Sequence, residues 1–539
     1  MQKEPDSLPD DIEKLKALVL AQADQVNQLT LQNKKLAHKE NFISKENVAL
    51  KSKVSSLQEQ LNLAIARRYA ASSEKISPDQ VRLFDETESS LLIDDESIDD
   101  SSSEESITVP AHIRKKSGRK PLPDALSRIE VVHELPEEER VCPHDGNPLK
   151  EMSEVISEQL DIIPATIQVI RHIRKQYSCR CGKCVKLAPL PAQPVPKSMA
   201  SPGLLAHVTV SKYQDALPLY RQEKILQRIG VDIPRATLAN WMIKAGKLVQ
   251  PIINLLRDRL LGYDIMQMDE TTVQVLRENG KKAQSKSYLW VQRGGPPDRP
   301  VILFDYDPGR GSSVPTRLLE GFAGYLQTDG YDGYNAVVIK NKLFHLACMA
   351  HVRRKFMDAL KAQGKKKKKT SLAQQGLTLI QKVYRVEKQA KEFSPEERYE
   401  YRLKKAKPLI KKLREWLDKN IAQIPPTSAT GKALNYLNNE WDKLIVYLKD
   451  GRLHIDNNLA ENAIRPFVIG RKNWLFSHSV KGVKASANLY SLIETAKANG
   501  LEPYAYLRYL FAELPKVVTV EAIEALLPGV VTQDQIKLR

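Results

Sequence analysis

Tyr263-Asp-Ile-Met-Gln-Met-Asp269-Glu-Thr-Thr-Val-Gln-Val-Leu276 marks the change from a helical to a strand-rich chain. Ser287-Tyr-Leu-Trp-Val291 and Val301-Ile-Leu-Phe304 follow, set off by Asn-Gly and Gly-Gly-Pro-Pro. Short apolar or alternating runs between such turn signals predict an antiparallel meander of three strands. A helical stretch, Thr316-Arg-Leu-Leu-Glu320, comes next, then a strand Gly324-Tyr-Leu-Gln-Thr328 ending at Asp329, then strand-like Phe344-His-Leu-Ala-Cys348.

Three meander strands, a helix and further strands is the order of a ribonuclease-H-like fold, in which the first and fourth strands lie side by side. That adjacency would bring Asp269 and Asp329 together, each read as closing a short apolar run. A third acid, Glu461, sits in His454-Ile-Asp-Asn-Asn-Leu-Ala-Glu461-Asn-Ala-Ile-Arg465, a helix opened by an Asp-Asn-Asn cap. Two strand carboxylates and one helix carboxylate can converge to hold divalent metal ions on a phosphodiester. Residues 371–450 are Lys-rich and helical, and a helical insertion explains the gap before Glu461 without a long structureless loop. Arg465, one turn after Glu461, shares its face and is a candidate for substrate phosphate or for an ion pair within the helix.

Neighbouring groups compete for these roles. Glu270 and Asp332 adjoin the proposed ligands but are expected on the opposite face or in a turn. Asp456 is expected near the helix N-terminus, where a carboxylate meets exposed amides. His345-x-x-Cys348-x-x-His351 has metal-like spacing, yet a buried strand end followed by a helix accounts for it. Arg353-Arg354-Lys355 is a candidate phosphate-facing run, and the lysines at 365–369 read as a solvated loop.

At 539 residues the chain is too long for one core, so several domains are expected. It carries 83 Lys plus Arg against 65 Asp plus Glu, a net charge of +18. Ten of the acids, with no basic residue among them, fall between Asp85 and Ile107, so the remainder carries +28 (18 + 10). A surplus of that size favours a polyanionic partner, nucleic acid before membrane. Five cysteines, four of them between Cys142 and Cys184, exclude a disulfide scaffold and fit a reducing compartment with a metal site. No run of about twenty apolar residues is present to span a bilayer, and the first residues lack a signal peptide's apolar core. A cytoplasmic protein working at the bacterial nucleoid is expected.

Outward from the core, residues 12–67 read as heptads. The d positions are Leu15, Gln22, Leu29, Leu36, Ile43, Leu50, Leu57 and Ala64, and Asn33 and Asn47 stand at a. The pattern predicts a parallel two-stranded coiled coil, with a long helix packed on its own domain as the alternative. An acidic, Ser-rich linker follows. After it, Gly118-Arg119-Lys120-Pro121 reads either as a loosely AT-hook-like segment for a minor groove or as a charged tether. Cys142-Pro-His144-Asp145 and Cys179-Arg-Cys181-Gly-Lys-Cys184 bracket strands expected near 155–162 and 167–177. Two such knuckles joined by a hairpin would supply tetrahedral zinc with donors from Cys142, His144, Cys179, Cys181 and Cys184, and a hairpin without metal is the alternative. Helical residues 203–250 contain a glycine turn and then Pro234-Arg-Ala-Thr-Leu-Ala-Asn240-Trp241, a helix-turn-helix order whose exposed readers would be Arg235, Thr237 and Asn240. A plain helical hairpin gives the same pattern.

The motifs together resemble the insertion-sequence-66 family of transposases, the large element-encoded subunit. The resemblance runs through Arg67-Arg68-Tyr-Ala-Ala-Ser-Ser-Glu-Lys, Ser157-Glu-Gln-Leu-Asp-Ile-Ile-Pro-Ala, Met268-Asp-Glu-Thr, Leu326-Gln-Thr-Asp-Gly-Tyr and Ala350-His-Val-Arg-Arg-Lys-Phe. It continues in Asn457-Asn-Leu-Ala-Glu461-Asn-Ala-Ile-Arg-Pro, Gly470-Arg-Lys-Asn-Trp-Leu-Phe and Glu494-Thr-Ala-Lys-Ala-Asn-Gly. Asp145 departs from the family's usual second cysteine. The resemblance implies a DDE transposase that cuts element ends from flanking DNA and joins their 3′-hydroxyls to a target. Asp269, Asp329 and Glu461 would hold two Mg²⁺ ions roughly 3.5–4 Å apart. Small accessory proteins of the same element are implied as partners. A DNA-binding regulator without catalysis and a nuclease without strand transfer are the competing readings.

The expected architecture is multidomain α+β. It comprises a coiled-coil dimerisation helix (1–70), an acidic linker (71–110), the AT-hook-like segment (111–128) and a zinc-ribbon-like β module (129–190). A helix-turn-helix-like domain (200–258), the two parts of a ribonuclease-H-like core (259–364 and 451–500) around a helical insertion (365–450), and a C-terminal element (501–539) complete it.

Overall fold

The structure, a computed structural model, describes residues 12–68, 167–178, 185–362 and 371–537. Helix α1, Ile12–Arg68, runs unbroken for 57 residues, and Leu29, Leu36, Leu50 and Leu57 of its seven-residue repeat stand exposed along it. Residues 95–190 form a compact unit of their own. Within that unit Gln176–Ser178 (β1) pairs antiparallel with Val185–Leu187 (β2), a hairpin flanking the stretch from Cys179 to Cys184. The strand expected over 167–177 is therefore confined to its last residues. Ile167, Val169, Ile170 and Ile173 are exposed and belong to no strand, because alternation makes a strand only where a partner backbone completes the ladder. The strand near 155–162, the proposed zinc ligands Cys142, His144, Cys179, Cys181 and Cys184, the segment with Arg119 and Lys120, and the lysine run lie outside the described residues.

Four helices precede the sheet: α2 Pro202–Tyr213, α3 Leu219–Arg228, α4 Arg235–Leu248 and α5 Gln250–Leu261. Ser201 caps α2 by accepting the Leu204 amide, with Pro202 at the first helical position. Between α3 and α4 the chain turns at Gly230, whose φ of 81° suits a residue without Cβ. Glu223 on α3 then accepts the Arg235 amide at 3.0 Å and serves as the cap that Pro234 cannot provide. Leu238, Trp241, Met242 and Ala245 bury one face of α4.

The sheet begins with β3, Ile265–Arg277, β4, Lys286–Gly294, and β5, Val301–Asp307, an antiparallel meander. Helix α6, Ser313–Leu318, leads to β6, Tyr325–Gln327; α7, Asn335–Asn341, leads to β7, Phe344–Leu346. The strand order is β5-β4-β3-β6-β7, and β6 runs parallel to both β3 and β7. First and fourth strands are thus neighbours, as their sequence order leads one to expect.

Helices α8 Met349–Ala362, α9 Leu372–Gln389, α10 Pro395–Tyr401, α11 Lys407–Ile421, α12 Ala429–Asn439 and α13 Trp441–Leu444 fill the interval before the third acid. Phe356, Leu377, Ile380, Leu413, Leu417 and Leu434 form a core of their own, continuous with Leu346 on β7. Arg402, in a π-helical turn between α10 and α11, is buried against Glu387. Its guanidinium donates to both Glu387 oxygens and to the carbonyls of Tyr447, Asp450 and Leu453.

Helix α14, Asn458–Trp474, carries Glu461; β8, Ser477–Ser479, pairs with the far end of β3, and α15, Val480–Ala498, returns along β5. Beyond it lie α16 Pro503–Glu513, α17 Val520–Glu524 and α18 Gln533–Ile536. An edge strand presents unpaired backbone groups. Here α15 covers them: Ser491 Oγ accepts the Phe304 amide at 2.8 Å, and Thr495 Oγ1 accepts the Ile302 amide at 3.0 Å while donating to the Ile302 carbonyl. Asn499 donates to the Pro300 carbonyl at 2.9 Å.

Candidate active site

The parallel pairing of β3 with β6 sets Gln267 opposite Gln327. Gln267 Nε2 donates to Gln327 Oε1 at 2.6 Å, and Gln327 Nε2 donates to the His454 carbonyl at 2.9 Å. Asn457 Nδ2 reaches the Met268 carbonyl at 2.8 Å, so the side chain at the N-cap position of α14 anchors the helix to β3. β6 ends at Gln327, and two residues on, Asp329 Oδ1 accepts the Tyr331 amide at 3.0 Å. Gly330 is required beside it, since a Cβ there would meet the Tyr436 hydroxyl at 2.7 Å.

Asp269 lies two residues beyond Gln267, hence on the same face of β3. It sits within a 13-residue strand and not at a strand end as the sequence suggests, because Glu270 to Gln274 continue pairing with β4. Burial holds the Asp269 carboxyl well above the usual carboxylate range. The negative charges of Glu270, Glu461 and Asp329 push it further, against a partial offset from the Glu270 amide at 2.8 Å. The charges of Glu461 and Asp329 thus act on the Asp269 carboxyl together with that of Glu270.

Glu461 stands in the first turn of α14, where the helix dipole favours a carboxylate. Its Oε1 lies 3.7 Å from His351 Nδ1 and its Oε2 3.7 Å from Arg354 Nη2. Cys348, His351 and Glu461 offer three ligand atoms within 4.8 Å of one another. Burial pushes the Cys348 thiol well up. Oε1 of Glu461 is buried without a hydrogen-bond partner among the described residues, as suits a group meant for a cation. Cys348 and His351 are the residues that sequence reasoning set aside. The Cys-x-x-His spacing is their signal, and reading it together with His345 hides it, because His345 bonds Thr328 at 2.8 Å instead. Arg354, read as phosphate-facing, faces a carboxylate.

The competing acids have hydrogen-bond partners of their own. Glu270 receives Arg310 Nε at 2.7 Å and the Tyr334 hydroxyl at 2.9 Å. The Arg310 guanidinium lies 3.8 Å from the Tyr331 ring centroid, and the Tyr331 hydroxyl donates to the Arg310 carbonyl at 2.6 Å. Asp332 is exposed at the start of a 3-10 turn. Asp456 Oδ1 accepts the Asn458 amide at 3.4 Å beside the helix start, and burial pushes its carboxyl up to about 6. Arg465 is half-buried one turn along α14; Arg235 and Asn240 are exposed on α4, and Thr237 is half-buried.

A mixed sheet with an acid on its central strand, followed by a long helical insertion and a helix that carries Glu461 and is tied back to that strand, fits a DNA-processing enzyme of the transposase class. Residues 197–485 match the family profile described as Transposase IS66 family, and residues 491–528 match the IS66 C-terminal element. Residues 139–182 match the zinc-finger binding domain of transposase IS66, and residues 56–131 the profile described as Transposase C of IS166 homeodomain. The chain belongs to the IS66 family of transposases. Relatives from Sinorhizobium fredii include the uncharacterized protein y4qI, 30% identical over 97% of both chains. Another, y4jD, is 33% identical over 77% of this chain and 82% of its own. Among the described residues no helix is long and apolar enough to cross a membrane.

Proposed function

We propose that this transposase works by DDE chemistry on a ribonuclease-H-like core, cleaving the ends of its element and joining their 3′-hydroxyls to target DNA. What supports the reading is that Asn457 ties the helix bearing Glu461 to the strand bearing Asp269, and that the charges of Glu270, Glu461 and Asp329 all act on the Asp269 carboxyl. Acids clustered in a half-buried setting repel one another, a cost that a bound cation relieves. The three residues would hold two Mg²⁺ ions, and Glu461 Oε1, which accepts no hydrogen bond among the described residues, fits that assignment. Bound there, the ions supply activation of the attacking oxygen and stabilisation of the leaving one. Asp269 and Asp329 are kept in register by the Gln267–Gln327 bond, and Asn457 fixes the helix that presents Glu461. Arg354 and His351 steady the Glu461 carboxylate, and Arg465 is available to substrate phosphate. Water attacks first and the freed 3′-hydroxyl second, so no protein–DNA bond forms.

Around this core we assign α1 to dimerisation, α3 and α4 to DNA through Arg235, Thr237 and Asn240, and the Cys142–Cys184 module to structural zinc. Strand cleavage of a labelled element end in Mg²⁺ tests the central reading. Asp269→Ala should abolish cleavage while DNA binding persists; cleavage by that variant refutes it. Strand-transfer product from a pre-cut 3′-hydroxyl end separates a transposase from a plain nuclease.

A further inference from the structure

The helix that carries Glu461 ends in an unusual tip. Leu475 has φ 64° and ψ −50°, and the Phe476 amide bonds the Trp474 carbonyl at 2.8 Å. This is a γ-turn with positive central φ, rare and strained for an L-residue. Strain of this kind persists only where the surroundings impose it, and here both sides are braced. Arg471 donates to Thr271 Oγ1 at 3.1 Å and to the Thr272 carbonyl, β8 pairs with Val275 and Arg277 of β3, and Trp474 packs edge-on against Phe467 at 5.3 Å. The brace holds apolar side chains outward: Leu475 is 64% exposed and Phe476 43%.

The surroundings identify what such a tip would meet. From Asn462 to Ile493 the chain holds five Lys or Arg (Arg465, Arg471, Lys472, Lys481, Lys484) and no Asp or Glu. Lys472, His478, Lys481 and Lys484 are exposed. A braced apolar point in a stretch of sequence whose only charges are cationic matches a polyanion with an apolar interior, that is, stacked bases behind phosphates. Wedges of this kind part base steps while neighbouring cations hold the backbone.

We infer that Leu475 and Phe476 form a wedge that enters DNA at one base step, a helix length away from Glu461. Leu475 follows Glu461 by fourteen residues of one helix, about 21 Å along its axis. With the duplex running along this helix and the scissile phosphate at Glu461, that length spans roughly six base-pair steps. The inference rests on DNA being the substrate of that pocket, but its signal is read without cleavage.

The test uses the full chain and a duplex of the element's end carrying 2-aminopurine at successive positions, with Asp269→Ala in the background so that the strand stays whole. The expected result is a fluorescence rise at one or two steps roughly six base pairs from the scissile phosphate. Leu475→Ser/Phe476→Ser should remove the rise and weaken binding about ten-fold or more, in line with stacking losses. Phe476→Trp should keep the rise, with its own emission quenched by bases, a readout that needs no truncation of the tip. Unchanged fluorescence and affinity in the double variant, or an unquenched Phe476→Trp, overturns the wedge. So does a change in the sedimentation of the DNA-free double variant, which would assign the tip to a protein interface. Failure of the intact carboxylates to cleave would count against the catalytic reading alone.

Discussion

Arg402 offers the most exacting test of how the helical insertion serves the carboxylate pocket. Its side chain is 2% exposed, and it donates to Glu387 and to three carbonyls, the last of which, on Leu453, leads directly into the segment that opens α14. Arg402→Met leaves Glu387 charged and buried without its partner, which costs about 3–5 kcal/mol. The orphaned carbonyls add to this, some finding water as the turn loosens, so about 4–6 kcal/mol is expected in all. Removing both charges, in Arg402→Met/Glu387→Met, should recover roughly 3 kcal/mol, because only the carbonyls then remain unpaired. Hydrogen exchange of peptides from α9 and α11 measures the opening free energy of the insertion itself, which a global melt of so large a chain would blur. Cleavage should fall with the single variant while DNA binding persists. A double variant as unstable as Arg402→Met, or a single variant costing less than about 1 kcal/mol, refutes the claim that this ion pair ties the insertion to the site.

Other consequences are open to direct measurement. The folded-state pKa of Asp269 is raised, so its protonated form stabilises the metal-free protein at low pH, and that contribution is lost as pH climbs through the folded value. Asp269→Asn should flatten this decline in unfolding free energy, and equal slopes in both proteins would contradict the pKa direction. Thr495→Val leaves the Ile302 amide and carbonyl unpaired and should cost about 2–5 kcal/mol by urea denaturation, whereas Thr495→Ser should stay near the parent. Arg310→Met strips Glu270 of its cation and Tyr331 of its stacking partner; cleavage should then need more Mg²⁺, and Glu270→Gln in the same chain should restore part of the loss. An unaltered metal titration would mean that this cluster does not steady the Asp329 loop.

Much of the catalytic half was legible because its signals are local. Apolar alternation and turn residues mark β3, β4 and β5, and the family motifs mark the acids. What escaped is decided at long range. Asp269 reads as closing a short apolar run, yet the ladder to β4 carries β3 onward, so it falls mid-strand. Asn457 has the composition of a helix cap, but its amide is spent on Met268, 189 residues away. Cys348 and His351 gain their meaning only when α14 sets Glu461 beside them. The Arg402–Glu387 pair spans 15 residues across two helices and a π turn, which no periodicity announces. The strand expected over 167–177 shows the opposite error, since its alternation is real but only its last residues pair among the described residues.

The hydroxyls along β5 bear on how the protein is made. Phe304 waits 187 residues for Ser491, and Ile302 waits 193 for Thr495. During synthesis the sheet's outer rim stays open until the last tenth of the chain emerges, a window in which a bare strand can recruit a neighbour. A message cut short before Ser491 would yield a product with every carboxylate present and no sealed sheet to hold them, more prone to clump than to move DNA.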